Sequence, residues 1–437
     1  MSGFITIPSN VASFRLANAR VPACLVADAT HLRPEADGLA PCDIVIDNGR
    51  IATIGPAVQD GLARFDLENG IVLPRLVDVH THIDKGHIWH RAPNPDGSFM
   101  GARTTVMADR EAHWSAEDVA RRMDFSLRCA FAHGTGALRT HIDTIGKQID
   151  ISWSVFAEMR EQWKGRITLQ AAALFPIDFA LVDEAGFHAM VETVAHHGGV
   201  LGGLTYLGEP LGPKTDAALD KVFEAAKAHG LDLDFHVDES ASPDARSLVR
   251  IAEAALRHTF SGRIVAGHCC SLALADDAER AATIARVAEA GIAVVSLPMC
   301  NMYLQDRQSG RTPRWRGVAP LHELAAAGVT VMVASDNTRD PFYAYGDLDL
   351  IEVFREATRI LHFDHSDRAW LQTIAATPGE VMRLPNGRMA GGAPAGLMLT
   401  RARTINELLS RPQNDRVVLY AGRQIDRALP DYRQLDA

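Results

Sequence analysis

The chain is sparing with cysteine: six among 437 residues (Cys24, Cys42, Cys129, Cys269, Cys270 and Cys300), none in C-x-x-C spacing. That leaves no C-x-x-C redox or zinc motif. There is no cationic and apolar leader at its start, so the expectation is a reduced, cytoplasmic protein. No apolar run approaches the roughly 20 residues that span a bilayer, which predicts no membrane partner. Lysine and arginine never gather into a long run, and the net charge is −10. Both facts argue against nucleic acid and favour a small neutral or cationic ligand. Low-complexity tracts and solenoid repeats are missing too.

What is present is ordinary globular material, 47% hydrophobic and 22% charged, long enough for one large domain and a smaller one. The first seventy residues read as short strands and turns, "ACLVADAT", "CDIVIDNGRIATIGP" and "ARFDLENGIVLP", with Asn48-Gly49 a hairpin turn. "AGLMLTRA" and "RVVLYAGRQI" repeat that flavour near the end. A small β-sandwich domain assembled from residues 1–70 plus 383–437 is the expectation. Across 71–382, eight apolar runs alternate with amphipathic helical stretches. Several close on the glycine expected just past a helix C-terminus, as in "AALDKVFEAAKAHG". Eight strand-helix units in roughly 250 to 310 residues predict an α/β fold, a (β/α)8 TIM-type barrel. An open doubly wound sheet would carry a Gly-rich phosphate loop after an early strand, and none is present.

The ionisable groups gather where those strands should end. In "VDVHTHIDKGHIWHR" (77–91), His80 and His82 stand two apart at the close of the run Ile71 to Val79. On a strand, such residues leave on one face and can meet one ion. A lone H-x-H is more often a pair of surface histidines, because a metal site needs three or four ligands. Other runs supply more: "LDLDFHVDES" ends in His236 and Glu239, "IVAGHCC" in His268 and "MVASDN" in Asp336. In a barrel these ends share one pocket. Any one of them alone reads as a hydrogen-bonded structural residue; all on one edge read as a metal site. Three imidazoles and a carboxylate suit Zn(II) or Fe(II). A second ion would want a bridging group, and the fourth strand end, "GGLTYLG", has no lysine for carbon dioxide to convert.

These residues resemble the amidohydrolase superfamily, and within it the cytosine deaminase group, over nearly the whole chain. "HTHIDK", "RTHID", "HVDE", "GHCCS", "NMYLQDR...TPRWRG" and "SDNTRDPFYAYG" stand in that group's order. The "HTH-x-DK" and "ASDN-x-RD" style is also similar to N-isopropylammelide aminohydrolase. The resemblance implies that His80, His82, His236 and Asp336 hold one divalent metal ion per subunit, Zn(II) or Fe(II). It also implies catalytic roles for Glu239, His268 and Asp336. A divalent ion brings the pKa of its water towards neutrality. Asp336 would take that proton, His268 would hold the oxygen, and Glu239 would protonate a ring nitrogen and then the departing amine. The implied activity is a deaminase that converts an exocyclic amino group on an N-heterocycle to a carbonyl with release of ammonia. Two departures point away from cytosine to another or larger ring, such as a pterin, an oxopurine or a triazine. Ile177, in "ALFPIDF", stands where cytosine deaminase has the glutamine that reads the pyrimidine edge, and Asn337 replaces a second aspartate. Lost polar contacts weaken that discrimination.

Other residues carry two readings. Lys85 either salt-bridges Asp84 or reaches the substrate. Trp315, Phe342 and Tyr343 stack on a flat ring or pack a loop. Arg139 and His141 are expected behind the pocket, with Asp143, and Cys269 and Cys270 as packing residues. The alternative activity is hydrolysis of a cyclic amide or a triazine-type ring N-alkylamine at the same mononuclear site. A regulatory protein that kept the barrel is disfavoured by Glu239, His268 and Asp336 together, because a structural metal site closes on four ligands without an adjacent acid. The H-x-E and P-C-x-x-C pairing of the other zinc deaminases is absent. A homo-oligomer is expected by analogy with the group.

Overall fold

The computed structural model describes residues 4–57, 61–206, 208–366 and 368–436. Leu207, in the "GGLTYLG" stretch, lies outside the described residues. The chain opens with β1 (Ser13–Pro22), β2 (Leu39–Asp47), β3 (Arg50–Gly55) and β4 (Ala63–Asp66), a sheet in the order β3-β2-β1-β4. Asn48 and Gly49 turn β2 into β3 with φ of 48° and 80°, the consecutive left-handed pair that a tight hairpin requires. Next come β5 (Val72–Pro74), β6 (Leu76–Thr81), β7 (Thr135–Asp143), β8 (Thr168–Leu174), β9 (Leu201–Leu204), β10 (Leu233–Val237), β11 (Ile264–His268), β12 (Ala293–Ser296) and β13 (Val331–Val333). β14 (Leu397–Leu399), β15 (Val417–Tyr420) and β16 (Arg423–Gln424) follow and join β5 in a second four-stranded sheet.

The single strand expected over Ile71 to Val79 is therefore two. The backbone changes partner at Arg75: its N–H donates to Gly396 O at 3.1 Å, whereas the Leu76 N–H donates to Gly134 O at 3.0 Å. At the break the Arg75 guanidinium turns inward, donating to Thr135 O and lying 5.0 Å from the centre of the Phe131 ring. Both halves are buried, so the sequence shows one unbroken apolar run.

β6 to β13 are parallel, with β6-β7-β8 in one hydrogen-bonded group and β9 to β13 in sequential order in another. Parallel bridges at Ala172–Val200 and Pro176–Leu204 connect β8 to β9, and a bridge at Thr81–Asp336 connects β6 to the segment after β13. The arrangement is α/β and TIM-barrel-like. The helices Ala116–His133 and Pro213–His229 stop at Gly134 (φ 99°) and Gly230 (φ 64°), as their sequences predict. An additional helix, Phe99–His113, capped by Ser98, precedes Ala116–His133 in the connection from β6 to β7. Among the described residues, no helix is long and apolar enough to cross a membrane.

Two contacts fasten the later chain to this body. Arg416 donates to Asp349 Oδ1 at 2.8 Å, and Asp349 caps the helix Leu350–Leu361. Tyr432 stacks on Phe125 at 5.5 Å, with the Arg339 guanidinium 4.0 Å from its ring centre, and Leu435 is buried with Phe125 and Cys129.

Candidate active site

His80 lies on β6 and His82 just past its end, so both rings leave from one side. His236 is on β10 and His268 closes β11. Asp336 follows β13; its N–H donates to His80 O at 2.9 Å, which holds the carboxylate against β6. His80 Nε2 and His82 Nε2 stand 3.5 and 3.3 Å from Asp336 Oδ1, and His236 Nε2 is 3.1 Å from His82 Nε2. β11 can approach this closely because residue 267 is glycine: a Cβ there would lie 2.9 Å from His80 Cε1. Asp238, His268, Cys269 and Asp336 all have φ between 51° and 71°. Such left-handed non-glycine residues cost on the order of 1–3 kcal/mol each and gather at functional sites.

Burial, with repulsion from neighbouring imidazoles and, for His80 and His82, from Lys85, holds His80, His82 and His236 well below the usual histidine range, so all three are neutral. Burial pushes Asp336 the other way, up to about 7. Both Asp336 oxygens, both His80 nitrogens and the Nδ1 atoms of His82 and His236 lack a hydrogen-bond partner among the described residues. Buried polar atoms left this way are costly. A divalent cation would take one nitrogen from each imidazole and a carboxylate oxygen of Asp336, because neutral imidazoles and an uncompensated carboxylate are the donors that Zn(II) and Fe(II) take. His80, His82 and Asp336 already place their ligand atoms within 4.8 Å of one another, as do His80, His236 and His268.

Glu239 stands beside this centre. Burial and the neighbouring Asp336 push its carboxyl well above the ordinary range, which favours the protonated form. The Asn301 amide donates to Glu239 Oε1 at 3.2 Å and reaches His268 Nδ1 at 2.8 Å. With the amide donating, Nδ1 accepts and the His268 proton sits on Nε2, which has no protein partner among the described residues. Burial and Lys85 draw His268 down to about 3, so it stays neutral. Asn301, on the helix Pro298–Leu304, is a residue the sequence reading missed. The only signal was its place in "NMYLQDR" after the seventh strand.

A cavity of about 350 Å³ opens onto these groups and is lined by His82, Lys85, His236, Glu239, His268, Asn337 and Phe342, among others. Lys85 is not paired with Asp84. Its Nζ lies 3.8 Å from Asp143 Oδ1 and 5.0 Å from the centre of the Phe342 ring. Burial alone would lower its pKa, but Asp143, Asp84, Asp340 and Asp336 outweigh that and leave it raised and charged. Asn337 donates to Asp340 Oδ2 at 2.6 Å. Ile177 is in the core instead: its N–H donates to Leu204 O at 3.2 Å, and its neighbours Pro176 and Asp178 line the cavity. Trp315 is not among the lining residues; its N–H donates to Asp306 Oδ2 at 3.2 Å. Arg139 and His141 lie behind the cavity. Arg139 pairs with Asp234 at 2.7 Å, and the His141 ring is 4.0 Å from that of His80. Asp143 faces the cavity and accepts from Arg110 at 2.9 Å. Cys269 and Cys270 are wholly buried, and burial pushes both thiols up.

Comparison with known proteins agrees with this geometry. The profile of the amidohydrolase family matches residues 140–425. A pterin deaminase from Rhizobium rhizogenes is 55% identical over 439 residues, covering 100% of this chain and 99% of the relative. The 5-methylcytosine deaminase of Klebsiella pneumoniae, solved with 5-fluorocytosine, superposes with a TM-score of 0.82 at 23% identity, covering 96% of this chain and 98% of that one. N-isopropylammelide isopropylaminohydrolase from Burkholderia multivorans gives 0.72 at 26% identity, covering 96% and 100%. With its HTHIDK and ASDN segments meeting at one centre, this chain belongs to the amidohydrolase family.

Proposed function

We propose that the protein is a metal-dependent aminohydrolase that removes the exocyclic amino group of a pterin-type ring as ammonia and leaves a carbonyl. The observation that carries this reading is the end-to-end similarity to pterin deaminase; the site supplies the chemistry. His80, His82, His236 and Asp336 would hold one divalent ion, Zn(II) or Fe(II). When bound, that ion supplies a water acidified towards neutral pH. Asp336 has carboxylate oxygens free of hydrogen bonds with which to accept a proton. The His268 Nε2–H donates to the attacking oxygen. Glu239 gives its proton to the ring nitrogen beside the reacting carbon and then carries one to the departing amine. Lys85 and Asn337 meet the polar edge of the ring, and Phe342 lies against its face.

The catalytic body is assigned to residues 71–382 as a (β/α)8 barrel, and residues 1–70 plus 383–437 to a small β-sandwich domain. A cytoplasmic homo-oligomer is the expected assembly, which light scattering tests. The likeness to the isopropylammelide enzyme favours a second reading, removal of a ring N-alkylamine at the same site. Ammonia release from metal-reconstituted protein separates the two, tested on pterin, cytosine, isoguanine, guanine and aminotriazines. Release from pterin is expected. Silence on every ring with metal bound would transfer the assignment to the N-alkylamine substrates. His236→Ala should lose metal and activity together, and full metal stoichiometry in that variant would break the ligand assignment.

A further inference from the structure

We propose that Asp238 is a positioning residue, which fixes the turn after β10 so that the Glu239 carboxyl meets the ring nitrogen. This rests on the deaminase reading above. Asp238 directly precedes Glu239, is buried, and has no part in the chemistry described so far. Its backbone is left-handed, with φ of 51°. A short polar side chain tolerates that conformation because it can hydrogen-bond nearby. Here the partner is the start of the helix Ser247–Arg257: Oδ1 accepts from the Ser247 N–H at 2.9 Å and from the Ser247 hydroxyl, and Oδ2 accepts from the Leu248 N–H at 3.0 Å. The carbonyl of the same residue is gripped as well. It accepts from the N–H groups of Cys270 and Ser271, just past β11, at 3.1 and 3.3 Å.

Glu239 has little of its own to fix it. Among the described residues its carboxyl receives one hydrogen bond, from Asn301 at 3.2 Å, and its carbonyl a long one from Gln305 at 3.4 Å. A second cavity, of about 160 Å³, lies against the same turn and is lined by Asp238, Ala241, Ser242 and Pro243 among others. Packing alone therefore does not hold the turn, and Glu239 takes its place from the residue before it. That place matters, because a reacting group misplaced by about 1 Å can cost roughly 10²-fold in rate. The ligand His236 is anchored separately, paired with Leu204 on β9 and Gly267 on β11. Loosening Asp238 should thus disturb the acid and spare the metal.

The test is a double-mutant cycle on Zn(II)-loaded enzyme with pterin. Asparagine keeps the left-handed preference but has a single acceptor oxygen, so Asp238→Asn turns an amide N–H towards the Ser247 or the Leu248 donor. The variant should keep its metal, by elemental analysis, and lose about tenfold or more in kcat with little change in KM. Ser247→Ala, which removes only the hydroxyl donor, should give a smaller loss of the same kind. In a Glu239→Gln background, Asp238→Asn should cost less than about twofold further, because a residue acting only through Glu239 then has nothing to position. A loss that multiplies with that of Glu239→Gln, or metal missing from Asp238→Asn, would overturn the proposal and leave Asp238 a helix cap that serves the fold. If the wild type releases no ammonia from pterin, the deaminase reading fails instead. The crystal structure of Asp238→Asn then decides the role of Asp238: the Glu239 carboxyl should leave the Asn301 amide, and a separation still at 3.2 Å would overturn it.

Discussion

Asn301 is the residue whose removal says most about the chemistry, because one amide nitrogen serves both proton-handling groups. Its donation to Glu239 opposes the upward push of burial and Asp336. Asn301→Ala should therefore raise the Glu239 pKa further. Activity needs Glu239 protonated and is lost as pH rises through that pKa, so the alkaline limb of the pH–rate profile should move to higher pH. A fall in kcat of about tenfold or more, with metal retained, is the expected accompaniment. An alkaline limb that does not move would detach Asn301 from the acid. Glu239→Gln should keep its metal, by elemental analysis, and lose a factor of about 10²–10⁴ in kcat; full activity there would remove Glu239 from the mechanism. His80, His82, His236, His268 and Asp336 were legible in the sequence because strand periodicity and the barrel arithmetic gather strand ends without knowledge of any contact. Asn301 was not, because a lone amide on a helix has no spacing signal. Its meaning comes from distances to residues 33 and 62 positions away. The match of Ile177 to the glutamine of cytosine deaminase does not put it on the cavity wall: the turn after β8 presents Pro176 and Asp178 there.

A buried ion pair couples the helix Leu350–Leu361 to the segment ahead of β15. Burial works against the Asp349 charge, but Arg416 outweighs it and holds that carboxyl down to about 2. A folded-state pKa below the ordinary value of 3.8 means stabilisation that is fully present above about pH 4 and lost as pH falls towards 2. The difference is about 2 kcal/mol. Thermal melts of wild-type protein should show this loss between about pH 4 and 2. Arg416→Met strands the buried carboxylate, should cost roughly 3–5 kcal/mol at neutral pH, and should flatten that acid limb. Melts that superpose on wild type would mean the pair contributes nothing net. Elements marked by local chemistry, such as the Asn48-Gly49 hairpin and the helices ending at Gly134 and Gly230, could be read directly. The break between β5 and β6 could not, because burial on both sides of Arg75 gives one apolar run whichever sheet receives it.

Across the whole molecule, the four proposed ligands come from β6, β10 and the segments that follow β6 and β13, so one ion ties distant parts of the fold together. Chelation should lower the melting temperature, and Zn(II) or Fe(II) should restore it. Metal at a hundredfold excess over its Kd is worth about 2.7 kcal/mol. Calorimetry that finds identical melts for stripped and loaded protein would mean these residues do not share an ion. The α/β class was legible from the alternation of runs. The bridge between Thr81 and Asp336 was not, since only the finished fold brings that pair together. One contact far from the chemistry reaches back to it. Tyr432 lies against Arg339, and Arg339 belongs to the loop that carries Asp336, Asn337 and Phe342. Coupling of this kind is reciprocal: a ligand that steadies the loop also steadies the segment holding Tyr432. Saturating ligand should then slow limited proteolysis of that segment, and the digestion rate would report occupancy of a cavity the protease never enters.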